Sequence, residues 1–163
     1  MVTKYHQSLE EGIVAFGKTL KIVKKVCRGC QSPLSITEAA SKKVINYKPD
    51  VYFILKNRYK LLFQVLESEL KKQDTLIADV IRACLVENCK GIIFIHPSEN
   101  KEDVTRILEA LQVIVRGLHK KGIPIEELPQ KNNCYCINRK IANSSEEIIK
   151  LLSQYAKEER WFK

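Results

Sequence analysis

Lys48–Lys72, KPDVYFILKNRYKLLFQVLESELKK, is the stretch around which the chain is organised. It reads as two strands, Val51–Leu55 and Leu61–Leu66, joined by the charged turn Lys56–Lys60. Both runs are short, rich in β-branched, aromatic and aliphatic residues, and bounded by polar residues. An antiparallel hairpin with Leu55 opposite Leu61 puts Asp50 opposite Leu66 and Pro49 opposite Glu67. Asp50 and Glu67 then leave the hairpin at its open end. Glu69 follows at the two-residue spacing that keeps it on the face of Glu67.

Three converging carboxylates repel one another unless a cation lies between them. A hard divalent ion suits an all-oxygen donor set, above all Mg²⁺, with Mn²⁺ as a substitute. Pro49-Asp50, followed seventeen residues after Asp50 by Glu67-Ser68-Glu69, resembles the motif of the PD-(D/E)xK nuclease superfamily. That group includes restriction endonucleases and Holliday junction resolvases. The resemblance implies a metal held by Asp50, Glu67 and Glu69, and hydrolysis of a phosphodiester by a metal-bound water. Glu69 stands where the family usually has a lysine, as in the acidic ExE versions among its restriction enzymes. Lys71 or Lys72, at the start of the next segment, could supply the amine instead.

The chain has 163 residues and is expected to form one domain, 1–163. Its 45% apolar and 29% charged composition suits a globular protein with a sizeable core. No apolar run reaches the roughly 20 residues that span a bilayer. The first residues, MVTKYHQSLEEG, hold no signal-peptide core, so a cytoplasmic protein without a membrane partner is expected. The formal charge of +9 favours a polyanionic partner. Between Lys42 and Lys72 stand eight Lys or Arg and three acids, and the acids are Asp50, Glu67 and Glu69. Lys42, Lys43, Lys48, Lys56, Arg58, Lys60 and Lys72 are accordingly the candidate nucleic-acid contacts, with DNA the expected partner.

Before the hairpin, Leu9, Ile13, Phe16, Leu20 and Val23 make one apolar stripe and predict a helix over Ser8–Lys25. Ser8 and Glu11 have capping-box spacing. Glu10 or Glu11 could face the metal site, or simply complement the helix dipole. His6 and His119 read as surface residues, and His96 ends a strand. Cys27 and Cys30 fall in an expected loop. With Cys134 and Cys136 they could make a structural Zn²⁺ site; disulfides and buried free thiols are the competing readings. Ser35–Lys43 reads as a short helix, with Glu38 a weaker candidate acid. Val44–Tyr47 reads as a separate strand or a bent entry to the hairpin.

After the hairpin, a helix is expected over Asp74–Asn88 with Leu76, Ile77, Val80, Ile81, Cys84 and Leu85 buried. Gly91–Pro97 is a short, nearly continuous apolar run, expected as a strand covered on both faces. A periodic helix capped by Asn100 runs to Leu118. A short strand, Asn133–Asn138, and a helix, Ser144–Lys157, follow, and then the basic aromatic tail Arg160–Lys163. The order resembles the αβββαβ core of the restriction-endonuclease-like fold, a mixed sheet flanked by helices within the α/β class. The function this implies is a metal-dependent endodeoxyribonuclease, with a catalytic set of Asp50, Glu67, Glu69 and Lys71. The alternative is a catalytically inactive nucleic-acid-binding or assembly protein on the same fold. Cutting both strands commonly uses two sites, so a homodimer through Lys101–Leu118 or Ser144–Lys157 is an expected arrangement.

Overall fold

The computed structural model describes residues 4–37, 42–65, 78–79, 82–83, 85–96, 113, 121, 134–138 and 145–159. Helix α1 (Lys4–Thr19) leads into strand β1 (Val23–Arg28). Strands β2 (Leu34–Thr37), β3 (Val44–Tyr47), β4 (Val51–Leu55) and β5 (Lys60–Val65) follow. Residues 78–79, 82–83 and 85 are helical. Strands β6 (Cys89–His96) and β7 (Cys134–Asn138) and helix α2 (Ser145–Glu159) complete the order.

Five strands form one mixed sheet, in the order β1-β4-β5-β6-β7. The β1-β4 and β4-β5 pairs are antiparallel, and the β5-β6 and β6-β7 pairs are parallel. The expected α/β class and mixed sheet are therefore present. Strands β1, β5, β6 and β7 all run opposite to β4, so their carboxyl ends gather at the end of the sheet where β4 begins. Openings at the carboxyl ends of strands are where ligands bind in open α/β sheets.

Alternation along the strands divides the core. Val51, Phe53, Leu55, Leu61, Phe63, Val65, Ile93 and Ile95 face α1 and α2, meeting Leu9, Ile13, Phe16, Ile148, Leu151 and Leu152. Tyr52, Leu62, Ile92 and Phe94 face the other way, onto Leu34, Ile36, Tyr47, Ala83 and Val86. Both faces of the central strands are covered, which is why Val51–Leu55 and Ile92–Ile95 read as continuous apolar runs. At its centre the Phe53 and Phe63 rings lie 4.6 Å apart, a favourable aromatic separation.

Several expectations are corrected. α1 starts at Lys4 and ends at Thr19, where the Thr19 hydroxyl donates to Phe16 O (2.7 Å) and Leu20 N to Gly17 O (3.2 Å). Val23–Arg28 is an edge strand, not the last turns of a helix. Leu20 and Val23 continue the three-residue step by coincidence, while Val23 and Val26 favour a strand. Ser35–Thr37 is strand rather than helix: Leu34 and Ile36 alternate inward, and Ile36 pairs with Ile45. The β2-β3 pair forms its own small sheet, so Val44–Tyr47 is indeed a separate strand. Leu85 is exposed, contrary to its expected burial.

The decisive hairpin forms, but in a register two residues tighter. Phe53, not Leu55, lies opposite Leu61. Leu55 N donates to Tyr59 O (2.8 Å), and Arg58 N to Leu55 O (3.0 Å). Arg58 has φ 72°. This is a three-residue loop with a left-handed last position, where the sequence reading had five loop residues. Tyr59 N also bonds Asn57 Oδ1 (3.1 Å), which fixes the turn locally.

Candidate metal centre

Asp50 stands just before β4, and the tighter register puts it beside Gln64 rather than Leu66. Asp50 N donates to Gln64 Oε1 (3.3 Å), and Val65 N donates to Asp50 Oδ2 (2.7 Å). One carboxylate oxygen is thus anchored to the backbone of β5. The other, Oδ1, lies 3.3 Å from His6 Nε2. The same nitrogen is 3.5 Å from Glu10 Oε2, and Arg28 Nη1 is 4.0 Å from that oxygen. His6, Glu10 and Asp50 offer ligand atoms within 4.8 Å of one another. All three are mostly shielded from solvent, and His6 is only 8% exposed.

The local sequence explains the cluster. His6 and Glu10 are four residues apart on α1, hence on one face and one turn apart. The apolar stripe Leu9, Ile13 and Phe16 seats α1 on the sheet. His6 and Glu10 thereby meet the end where β4 begins. Burial raises the Glu10 carboxyl above its usual range, and the nearby Asp50 charge raises it further. Two carboxylates held this close need a positive partner. Protonated His6 can serve, and so can a divalent ion with oxygen and imidazole donors. The two carboxylates fit a hard divalent cation, and the imidazole beside them favours Mn²⁺ over Mg²⁺.

On the opposite face, Asp79 is 6% exposed. Its carboxyl is pushed up to about 6, chiefly by burial and further by Asp50, against the opposing pull of Arg82. Burial also raises the Tyr47 phenol, with Asp79 adding to the effect. Because folded Asp79 binds its proton more tightly than unfolded Asp79, folding stability falls as pH rises from about 4 to about 6. Asp79→Asn is expected to raise stability at pH 7 by up to about 3 kcal/mol, near 1.4 kcal/mol per unit of displaced pKa. The gain should vanish near pH 3, where both forms are neutral. Urea unfolding at the two pH values checks this; an equal gain at both would assign it to packing.

Of the sequence-derived residues, Asp50 lies in the cluster with Glu10, one of the two helix acids considered. Glu11 is exposed. His6, read as a surface residue, is buried and central; starting the helix at Ser8 hid its four-residue spacing to Glu10. Glu67, Glu69, Lys71, Lys72, Glu38 and the span Lys101–Leu118 fall outside the described residues, apart from exposed Val113. Lys48 is exposed beside the cluster in sequence, and Lys42 and Lys43 are exposed just before β3. Lys56 and Arg58 sit beyond the far end of β4, about 20 Å from Asp50 at 3.3 Å per residue, and Lys60 lies opposite Ile54, about 13 Å along. They do not surround the cluster. Cys27 on β1 and Cys134 and Cys136 on β7 occupy opposite edges of the sheet. Four interstrand spacings, about 19 Å, separate them, too far for one zinc at about 2.3 Å per Zn–S bond. In α2, Ile148, Leu151 and Leu152 are buried within the protein. Ser145, expected as part of a cap, donates its hydroxyl to Ser8 O (2.8 Å). No helix among the described residues is long and apolar enough to cross a membrane.

The fold and cluster together define a mixed α/β protein with a candidate metal centre at the carboxyl ends of its strands. No family model matches the chain, and no curated protein or solved structure matches it significantly.

Proposed function

We propose that the protein is a Mg²⁺- or Mn²⁺-dependent endodeoxyribonuclease, a hydrolase of DNA phosphodiester bonds with a restriction-endonuclease-like core. The observation that carries this reading is the convergence of His6, Glu10 and Asp50 where β4 begins. The order α1, β1, β4, β5, helical residues, β6 supports it, with β2-β3 inserted as a hairpin. Asp50, Glu10 and His6 would hold the ion, joined by Glu67 and Glu69, the next carboxylates after Val65. A bound divalent ion supplies a nucleophilic water and neutralises charge on the phosphate. Asp50 keeps one oxygen on Val65 N and presents the other. Without the ion, burial and the Asp50 charge raise the Glu10 carboxyl, and a bound cation would relieve both carboxylates of their mutual repulsion. Arg28, partly exposed beside Glu10, offers its guanidinium to a phosphate oxygen. Lys48, Lys71 and Lys72 are the further basic groups proposed for substrate.

Incubation of supercoiled plasmid with purified protein should give nicked or linear DNA in Mg²⁺ or Mn²⁺ and none in EDTA. DNA binding without cleavage in any divalent ion would leave the alternative, a non-catalytic nucleic-acid-binding protein. A homodimer is proposed for double-strand cutting, and light scattering with and without DNA tests it.

A further inference from the structure

The end of the sheet away from Asp50 carries its own charge pattern. Residues 20–25, 56–60 and 85–90 hold seven Lys or Arg and one acid, Glu87. Lys56 N donates to Ile22 O (2.8 Å), so the β4-β5 loop and the α1-β1 turn are joined by their backbones. Lys21, Lys24, Lys25, Lys56 and Arg58 are all exposed. A register shift between Val23 and Lys25 marks a bulge at the edge of the sheet, and both lysines there reach solvent. Lys60 is engaged: its Nζ donates to Glu87 O (2.9 Å). Tyr59, between Arg58 and Lys60, leaves 47% of its surface exposed. Guarding an edge strand accounts for Lys24 and Lys25. It accounts for neither the loop cations nor the exposed ring.

We infer that this end of the sheet is a second nucleic-acid contact, gripping the sugar-phosphate backbone with Lys21, Lys24, Lys25, Lys56 and Arg58 and placing Tyr59 against an unpaired base. Cations interleaved with an exposed aromatic ring suit this ligand: the charges track phosphates and the ring stacks. Arg58 adds a planar fork for phosphate oxygens. The surface shares its partner class with the proposed nuclease but needs neither metal nor cleavage. Along the strands its near end, Lys25 opposite Ile54, lies about 13 Å from Asp50 and Lys56 about 20 Å, equivalent to about four to six base-pair steps of 3.4 Å. A duplex touching both must span at least that length.

The test measures binding of fluorescent 30-nucleotide single strands and 30-base-pair duplexes in EDTA, over a salt series. The protein is the full chain and its variant Lys21→Gln/Lys24→Gln/Lys25→Gln/Lys56→Gln/Arg58→Gln. The variant should bind at least about tenfold more weakly at low salt, and its log–log salt slope should fall by about one per lost phosphate contact. Tyr59→Ala should weaken single-strand binding by about fivefold or more and duplex binding much less. Unchanged affinity and slope in the five-residue variant would overturn the inference. So would loss of binding to anionic phospholipid vesicles with DNA binding intact, which would make the partner a membrane surface. Plasmid cleavage is scored separately. A variant that loses EDTA binding in a protein that never cuts removes the nuclease reading alone; cleavage with wild-type EDTA binding in the variant removes this inference alone.

Discussion

Asp50→Asn is expected to abolish Mg²⁺- or Mn²⁺-dependent cleavage, by about a thousandfold or more, with the fold intact. The loss corresponds to several kcal/mol of metal-assisted stabilisation at 1.36 kcal/mol per tenfold. The structure gives the substitution its specificity. Asp50 Oδ2 accepts a hydrogen bond from Val65 N, and an asparagine carbonyl can still accept it. The atom replacing Oδ1, which faces His6 Nε2 at 3.3 Å, becomes an amide nitrogen with no acceptor lone pair for a cation. Removal of one carboxylate relieves its repulsion of Glu10 but also ends its pairing with His6, so the metal-free variant should melt close to the parent. Plasmid cleavage, Mn²⁺ titration calorimetry and thermal unfolding together read these effects. A variant that cuts at the parental rate, with the same metal dependence, would place the activity elsewhere or in a contaminant.

The legible part of this fold was the part where local pattern and tertiary role agree. Val51–Leu55 and Ile92–Ile95 are apolar because both faces of the sheet are covered, and each read correctly as a strand. The hairpin was legible in kind but not in register. A three-residue loop depends on Arg58 taking φ 72°, and an arginine gives no local warning of that conformation, unlike glycine or asparagine. The two-residue slip preserved the face of every side chain, so the core was read correctly while Asp50 was matched with the wrong neighbour. The α1 boundary was harder. Leu20 and Val23 fit the helical stripe while Val23 and Val26 fit a strand, and pairing with β4 decides for the edge strand. The same misplaced start cost His6 its role. Its spacing to Glu10 was present in the sequence, but a helix begun at Ser8 left it outside. The four-cysteine zinc reading failed for a global reason: strand order, which local spacing does not carry, sends β1 and β7 to opposite edges.

Gly29→Ala is expected to weaken the metal centre without touching a ligand. Gly29 follows β1, and its N–H donates to Asp50 O (3.4 Å). A Cβ at this position would collide with the Pro49 carbonyl oxygen and come within 2.8 Å of Lys48 C and Pro49 N. These are backbone atoms, and Pro49 is buried, so the strain is not relieved by a side-chain rotation. The segment Lys48–Asp50 must move away from β1, at a cost of about 1–3 kcal/mol, typical of overpacking. At a few degrees per kcal/mol for a chain of this size, the melting temperature should fall by about 3–10 °C. The shift carries the Asp50 carboxylate away from His6 and Glu10, and a displacement of about 1 Å can cost about a hundredfold in a catalytic site. Gly17→Ala is the control. A Cβ at Gly17 meets the Phe53 ring and Val26 Cγ2, in the core and away from Asp50, so it should lower the melting temperature but spare Mn²⁺ affinity. Measured well below both melting temperatures, Gly29→Ala should bind Mn²⁺ at least about tenfold more weakly than Gly17→Ala. Equal Mn²⁺ affinity in the two variants, at equal loss of stability, would show that Gly29 serves packing alone and that Asp50 holds its place without it.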